Sequence, residues 1–224
     1  MVTGLKGRDV LKAAFLVFLV SLFLPSYSYG DNSEHWNDLY LSRKIGRATS
    51  LSLASRTKFN DIPFDDVYIV SLKLGSGYGT GWNLTITPSY RIDWIDKKDK
   101  DEYENRYSLQ LDYRKTVRGI NTTFTQISEL RYFTQATRDH IRLRFRLNMS
   151  RNIGTMLNRR ASFYIMPEIF YDDIKNEIFR FRFYSGFNIA LKDNISLKIG
   201  YILQNEKDKD DIHLFNTGLG WKII

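Results

Sequence analysis

The sequence predicts an all-β protein, an antiparallel up-and-down transmembrane β-barrel of about 10–12 strands, and three observations predict it. Long segments alternate apolar and polar residues with a period of two, and no helical 3.6-residue period persists over a comparable length. The runs are 10–14 residues long, against about 5–6 for an ordinary globular strand and about 9–11 for a tilted strand crossing a bilayer. The composition is 15% aromatic yet 26% charged, the average expected of a wall whose residues face lipid and lumen in turn.

The first thirty residues set the compartment. Lys6, Arg8 and Lys12 form a basic start, residues 13–24 are an apolar run, and Pro25 breaks it. Ser28, Tyr29 and Gly30 then supply small residues at the −3 and −1 positions of a cleavage site. The apolar run is shorter than the roughly 17–25 residues of a spanning helix, so residues 1–30 read as a signal peptide and 31–224 as the barrel. Removing the leader takes Lys6, Arg8, Lys12 and Asp9 with it and leaves a net charge of +6 from the original +8. The chain has no cysteine, which excludes disulfides, thiolate metal sites, catalytic thiols and an N-terminal lipid-bearing Cys.

In chain order, the first segment, residues 36–45, is the weakest and is expected to lie partly outside the wall. In residues 82–94, Trp82, Leu84, Ile86, Pro88, Tyr90, Ile92 and Trp94 alternate with polar residues that include Arg91 and Asp93. In residues 103–114, Tyr103, Tyr107, Leu109, Leu111 and Tyr113 oppose Glu104, Arg106, Ser108, Gln110, Asp112 and Arg114. Residues 138–150 set Ile141, Leu143, Phe145, Leu147 and Met149 against Arg142, Arg144, Arg146 and Asn148. Residues 178–190 set Phe179, Phe181, Phe183, Phe187 and Ile189 against Arg180, Arg182, Tyr184 and Asn188. Residues 195–204 set Ile195, Leu197, Ile199, Tyr201 and Leu203 against Ser196, Lys198, Gly200 and Gln204. Eleven strand-like segments result, and since bacterial single-chain barrels normally have an even number, ten and twelve both remain open.

Connectors alternate in length. Tight turns fall at 44–47, 76–81, 117–119, 154–158 and 191–194, and longer charged loops at 60–66, 96–101, 134–139, 172–177 and 206–211. Short turns at the periplasmic rim and longer loops outside are the outer-membrane pattern. Trp82 and Trp94 bracket one strand, Tyr103 and Tyr113 another, as interfacial girdles do. The run Gly75-x-Gly77-x-Gly79-x-Gly81 precedes a strand rather than the helix a phosphate loop needs, and reads as a flexible turn.

The last strand sets Phe215, Thr217, Leu219, Trp221 and Ile223 on one phase. Its end is similar to the C-terminal signal read by the barrel-assembly machinery, carried by Thr217, Gly218, Trp221 and Ile223, although Ile224 stands where an aromatic residue is usual. The whole mature chain resembles an uncharacterised family of predicted outer-membrane barrels, a domain of unknown function. Residues 129–133 (Glu-Leu-Arg-Tyr-Phe), the run from Arg142 to Arg146, Ile199-Gly200-Tyr201 before an acidic loop, and His213 leading into Gly218-Leu219-Gly220-Trp221 carry the resemblance. It brings no activity, but adds a distant similarity in size and pattern to small porins for acidic sugars.

With apolar phases facing lipid, the lumen inherits Arg56, Arg91, Arg106, Arg114, Arg131, Arg142, Arg144, Arg146, Arg180, Arg182 and Lys198, with Asp93, Glu104, Asp112, Glu129 and Glu168. Two readings stay open. Arg–carboxylate forks can plug a small barrel with salt bridges, or an excess of bases can draw small anionic solutes such as acidic oligosaccharides into a narrow channel. The alternatives are a soluble exported β-barrel or sandwich binding a ligand, and an outer-membrane lipid-modifying enzyme. The last lacks a Ser beside any of His35, His140 and His213, so no catalytic or metal residue is named and no cofactor is implied. Outer-membrane lipid and lipopolysaccharide are the expected surroundings. Nucleic acid is not a partner, because the bases lie on strand faces rather than among exposed stacking aromatics.

Overall fold

A computed structural model describes residues 33–60, 66–80, 82–96, 101–134, 140–156, 158–174 and 176–223. The expected leader, residues 1–30, lies outside them. Eleven strands form one closed barrel: β1 (Ser33–Lys44), β2 (Thr49–Asn60), β3 (Asp66–Gly79), β4 (Leu84–Ile95), β5 (Glu102–Val117), β6 (Ile120–Phe133), β7 (His140–Met156), β8 (Arg159–Asp172), β9 (Glu177–Lys192), β10 (Ile195–Glu206) and β11 (Ile212–Ile223). Each pairs with its chain neighbours in antiparallel register, and closure is between β1 and β11. Because an odd number of alternating strands leaves the first and last running the same way, this seam is parallel, from Ser33 beside His213 to Arg43 beside Ile223. The antiparallel up-and-down barrel expected from the sequence is present with this one parallel seam, and two expectations are corrected: the strand number is eleven rather than even, and the first segment is not partly outside the wall. β1 is in the wall and is paired along its length on both sides.

Strand phase sorts the side chains. Exposed apolar residues such as Leu72, Leu74, Tyr107, Leu109, Ile141, Phe181, Phe183 and Ile199 make the outer face. Ionic residues of the alternate phase turn inward, where Asp93, Glu104, Glu129, Glu168 and Arg182 are buried. Connectors from each odd strand to the even strand after it are short. At 118–119 the two central residues of the hairpin, Arg118 and Gly119, both have positive φ (50° and 78°), the geometry that matches the strand twist. The long connectors all lie at the other end.

Two further sequence readings change. Gly75, Gly77 and Gly79 belong to β3 rather than to a turn. A Cβ on Gly77 would come within 2.9 Å of Ser50 Oγ, and one on Gly75 within 3.1 Å of Ser52 Oγ, so these glycines let β3 pack closely inside the wall. The second change is at Phe179. Register shifts where Phe170 pairs with Arg180 but Tyr171 with Ile178. Phe179 is the extra residue of this bulge and turns inward, buried, instead of pointing out with Phe181.

The interior carries an apolar plug. Trp36, Tyr164, Met166, Tyr184, Ile202 and Leu214, from β1 and β8–β11, form one buried cluster. Gly186 and Gly200 make room for it, since a Cβ on Gly200 would collide with the Tyr164 hydroxyl.

Candidate functional site

Two cavities flank the plug. At the short-turn end a space of about 320 Å³ is lined by Asn121, Ser150, Asn152, Ser162, Asn188 and Ser196, all neutral, with Arg160 at its edge. At the long-loop end a vestibule of about 340 Å³ is lined by ten basic residues and four carboxylates. The bases are Arg56, Lys58, Arg91, Arg106, Arg131, Arg142, Arg144, Arg180, Arg182 and Lys209, and the carboxylates Glu34, Glu104, Glu129 and Glu206. A larger hollow of about 690 Å³ lies on the outer face among Leu74, Pro88, Tyr90, Tyr107, Leu109 and Leu130. No group of charges converges there, so the vestibule is the candidate site.

Strand register explains how its charges are arranged. Arg91, Arg106 and Arg131 stand side by side on β4, β5 and β6, with Asp93 and Glu104 side by side one pair further along. Neither row is stable alone, because like charges face each other across strands. Together they interlock: Arg106 contacts Asp93 at 2.7 Å and Glu104 at 2.6 Å, Arg91 reaches Asp93 at 2.5 Å, and Arg131 bonds to Glu104. On the next strands Arg144 donates to Glu129 at 2.7 Å. Glu168 has no exposed surface and accepts from Arg146 and from the Tyr184 hydroxyl, both at 2.7 Å, with Arg144 at 3.5 Å.

Across the vestibule, on β7–β9, guanidinium groups rest on rings. Arg142 lies 4.8 Å from the centre of Phe179, and Arg144, Arg180 and Arg182 lie 5.7, 5.6 and 4.8 Å from the centre of Phe170. Below them Arg56, Lys58 and Arg182 cover Trp36 at 4.5, 4.4 and 5.0 Å. Cation–π contact holds such groups in place without neutralising them. At the rim, Lys209 reaches Glu206 at 2.9 Å, and Lys207 is hydrogen-bonded to Glu177, whose carboxylate raises the ammonium above its usual range.

Of the residues singled out in the sequence, Arg106, Arg131, Arg142, Arg144, Arg180, Arg182 and Glu129 come together in the vestibule wall. Arg146 and Glu168 sit beneath it in one ion pair. Lys198 lies deeper, its ammonium 4.8 Å from the Tyr164 ring. Asp112 accepts from Thr125 at 2.6 Å, and Arg114, largely exposed near the short-turn end, stands 3.9 Å from it. Sequence reasoning missed Asp38, Lys58, Asp172 and Glu206. Asp38 holds Arg56 at 2.6 and 3.0 Å, Asp172 holds Arg142 at 3.3 Å, and Arg180 bonds to Glu206. Asp172 and Glu206, expected at the start of loops, are the last residues of β8 and β10, and the period-two phase runs straight on to them from Glu168 and Gln204.

The three histidines are spread out. His140 lies 3.5 Å from Asp172, His213 bonds to Tyr201 on the outer face, and His35, buried, stands 3.0 Å from Asn37. Among the described residues no group of three or more His, Cys, Asp or Glu is placed to hold a metal ion.

A family model described as a protein of unknown function (DUF2490) matches residues 33–214. The chain belongs to this family. Among curated proteins none matches it. Its fold is similar to the β domain of the Bordetella autotransporter BrkA, at 13% identity and a TM-score of 0.52, covering 80% of this chain and 85% of that one. It is similar also to LpxR from Salmonella typhimurium, at 10% identity and a TM-score of 0.52, covering 82% and 87%. The DUF2490 chain thus has an outer-membrane-type barrel fold.

Proposed function

We propose that this DUF2490 protein is an outer-membrane barrel, exported with cleavage near Gly30, whose outer vestibule admits small anionic solutes such as acidic oligosaccharides to a passage closed at rest by the Trp36–Tyr164 plug. The observation that carries the reading is the vestibule lining of ten bases and four carboxylates. Rings of Arg and Lys select anions in pores, and a cavity with low-dielectric walls focuses that potential outward. The short-turn rim faces the periplasm and the long loops face outward, as in outer-membrane barrels. The apolar outer face contacts lipid, lipopolysaccharide surrounds the rim, and Thr217, Gly218, Trp221 and Ile223 on β11 serve recognition by the assembly machinery.

Planar-bilayer recording tests the passage. A barrel with Trp36→Ala and Tyr164→Ala is expected to conduct with preference for anions, and wild type to conduct far less. A cation-selective current, or none from the opened variant, removes the channel reading. Recovery in the outer-membrane fraction with heat-modifiable gel mobility tests the location; extraction into buffer without detergent removes it.

A further inference from the structure

We propose that Arg182 anchors a subsite for one oxyanionic group, a carboxylate or a phosphate monoester, on a monosaccharide-sized solute. The inference rests on the vestibule being an anion basin and adds which residue takes the charged group.

Arg182 is 7% exposed and forms part of the vestibule wall. Register places it between Glu168 on β8 and Gln204 on β10. Glu168 is committed to Arg146 and Tyr184, and Arg182 Nε donates instead to the neutral Gln204 Oε1 at 2.6 Å. The guanidinium is then flanked by Trp36 and Phe170. Among the described residues no carboxylate lies within ion-pair distance of Arg182, whereas Arg146 and Arg180 each have one. A guanidinium has five N–H donors, and the Gln204 contact uses one.

Two neighbours add to the unfilled capacity. The Nε atoms of Arg142 and Arg144 are buried without a hydrogen-bond partner among the described residues. Three guanidinium carbons, of Arg144, Arg180 and Arg182, lie within 5.7 Å of the centre of the Phe170 ring. Arg144 and Arg180 are each met by a carboxylate, Glu129 and Glu206, so Arg182 is the member of this crowd that a further anion would relieve. The planar fork of Arg182, held between rings, matches the two oxygens of a carboxylate or phosphate. The vestibule volume of about 340 Å³ is at the small end of ligand pockets, which run from about 300 to 1,000 Å³, so one acidic ring fits rather than a chain.

The experiment uses the full mature barrel in detergent, with Trp82, Trp94 and Trp221 changed to Phe so that emission reports on Trp36, and calorimetry in parallel. Galacturonate, glucose 6-phosphate and glucose are titrated. Wild type is expected to bind the first, the second or both, and glucose at least tenfold more weakly; the acid that binds tells carboxylate from phosphate. Arg182→Gln should weaken acid binding at least tenfold, and Arg182→Lys less, because it keeps the charge and loses the fork. Gln204→Glu leaves Arg182 in place but gives it an internal carboxylate, and should abolish acid binding while the gel mobility of the folded barrel persists. Wild-type affinity in Arg182→Gln or Gln204→Glu overturns the anchor and leaves the basin standing. If glucose binds as tightly as the acids, the subsite is not one for oxyanions. Absence of binding by both acids to wild type overturns the basin and the subsite together.

Discussion

Glu168 and Gly200 show at single residues what the interior costs. Glu168, wholly buried, compensates Arg146 and lies near Arg144. Glu168→Gln keeps the shape and leaves buried positive charge uncompensated, so unfolding in denaturant should reveal a loss of about 3–5 kcal/mol. Asp193→Asn removes the exposed Arg160–Asp193 pair and should leave the midpoint unchanged. Gly200→Ala drives a methyl into the Tyr164 hydroxyl and should cost about 1–3 kcal/mol, as overpacking does. In a Tyr164→Phe background the loss should shrink, and a double-mutant cycle measures by how much. The charged face was legible in the sequence because Arg142, Arg144 and Arg146 alternate with apolar residues. The plug was not, because Trp36, Met166, Ile202 and Leu214 are apolar residues on the inner phase, and alternation alone assigns apolar side chains to the outside.

At the level of the strand, β9 is the most informative. Its Arg180 and Arg182 face the lumen and its Phe181 and Phe183 are exposed on the outer wall. If that wall meets lipid, Phe181→Arg or Phe183→Arg should lower stability in bilayers by about 2–4 kcal/mol near the midplane, read from urea titration of folding into vesicles. An effect near zero would reverse the phase assigned to β9. The bulge at Phe179 marks the limit of pattern reading: one added residue inverts the phase locally, and nothing in the composition of 177–180 announces it. β1 was underrated for a related reason. Glu34, Trp36 and Asp38 put two acids and the plug's indole on its inner phase, so it has neither the apolar stripe nor the basic ladder that identified the other strands.

Across the whole molecule, ion pairs run through the lumen on β4–β10, and on β7 and β9 cations of those pairs also lie on the rings of Phe170 and Phe179. The salt-bridged interior read from the sequence is present in the ion pairs, and the basic face that would draw anions stays the proposal tested above. The closure itself can be tested by oxidation, since the chain has no cysteine of its own. Leu39 and Leu219 are direct partners across the parallel seam, so Leu39→Cys with Leu219→Cys should form a cross-link, and Leu39→Cys with Phe215→Cys should not. The odd strand number has a topological result for biogenesis. β1 starts at the long-loop mouth and β11 ends at the opposite one, so in the orientation proposed above the start of β1 would lie at the cell exterior and the end of β11 at the periplasm, with one strand inserted without a hairpin mate. An epitope fused ahead of Ser33 should therefore be labelled by antibody on intact cells, while the same epitope following Ile223 is reached only after the envelope is opened.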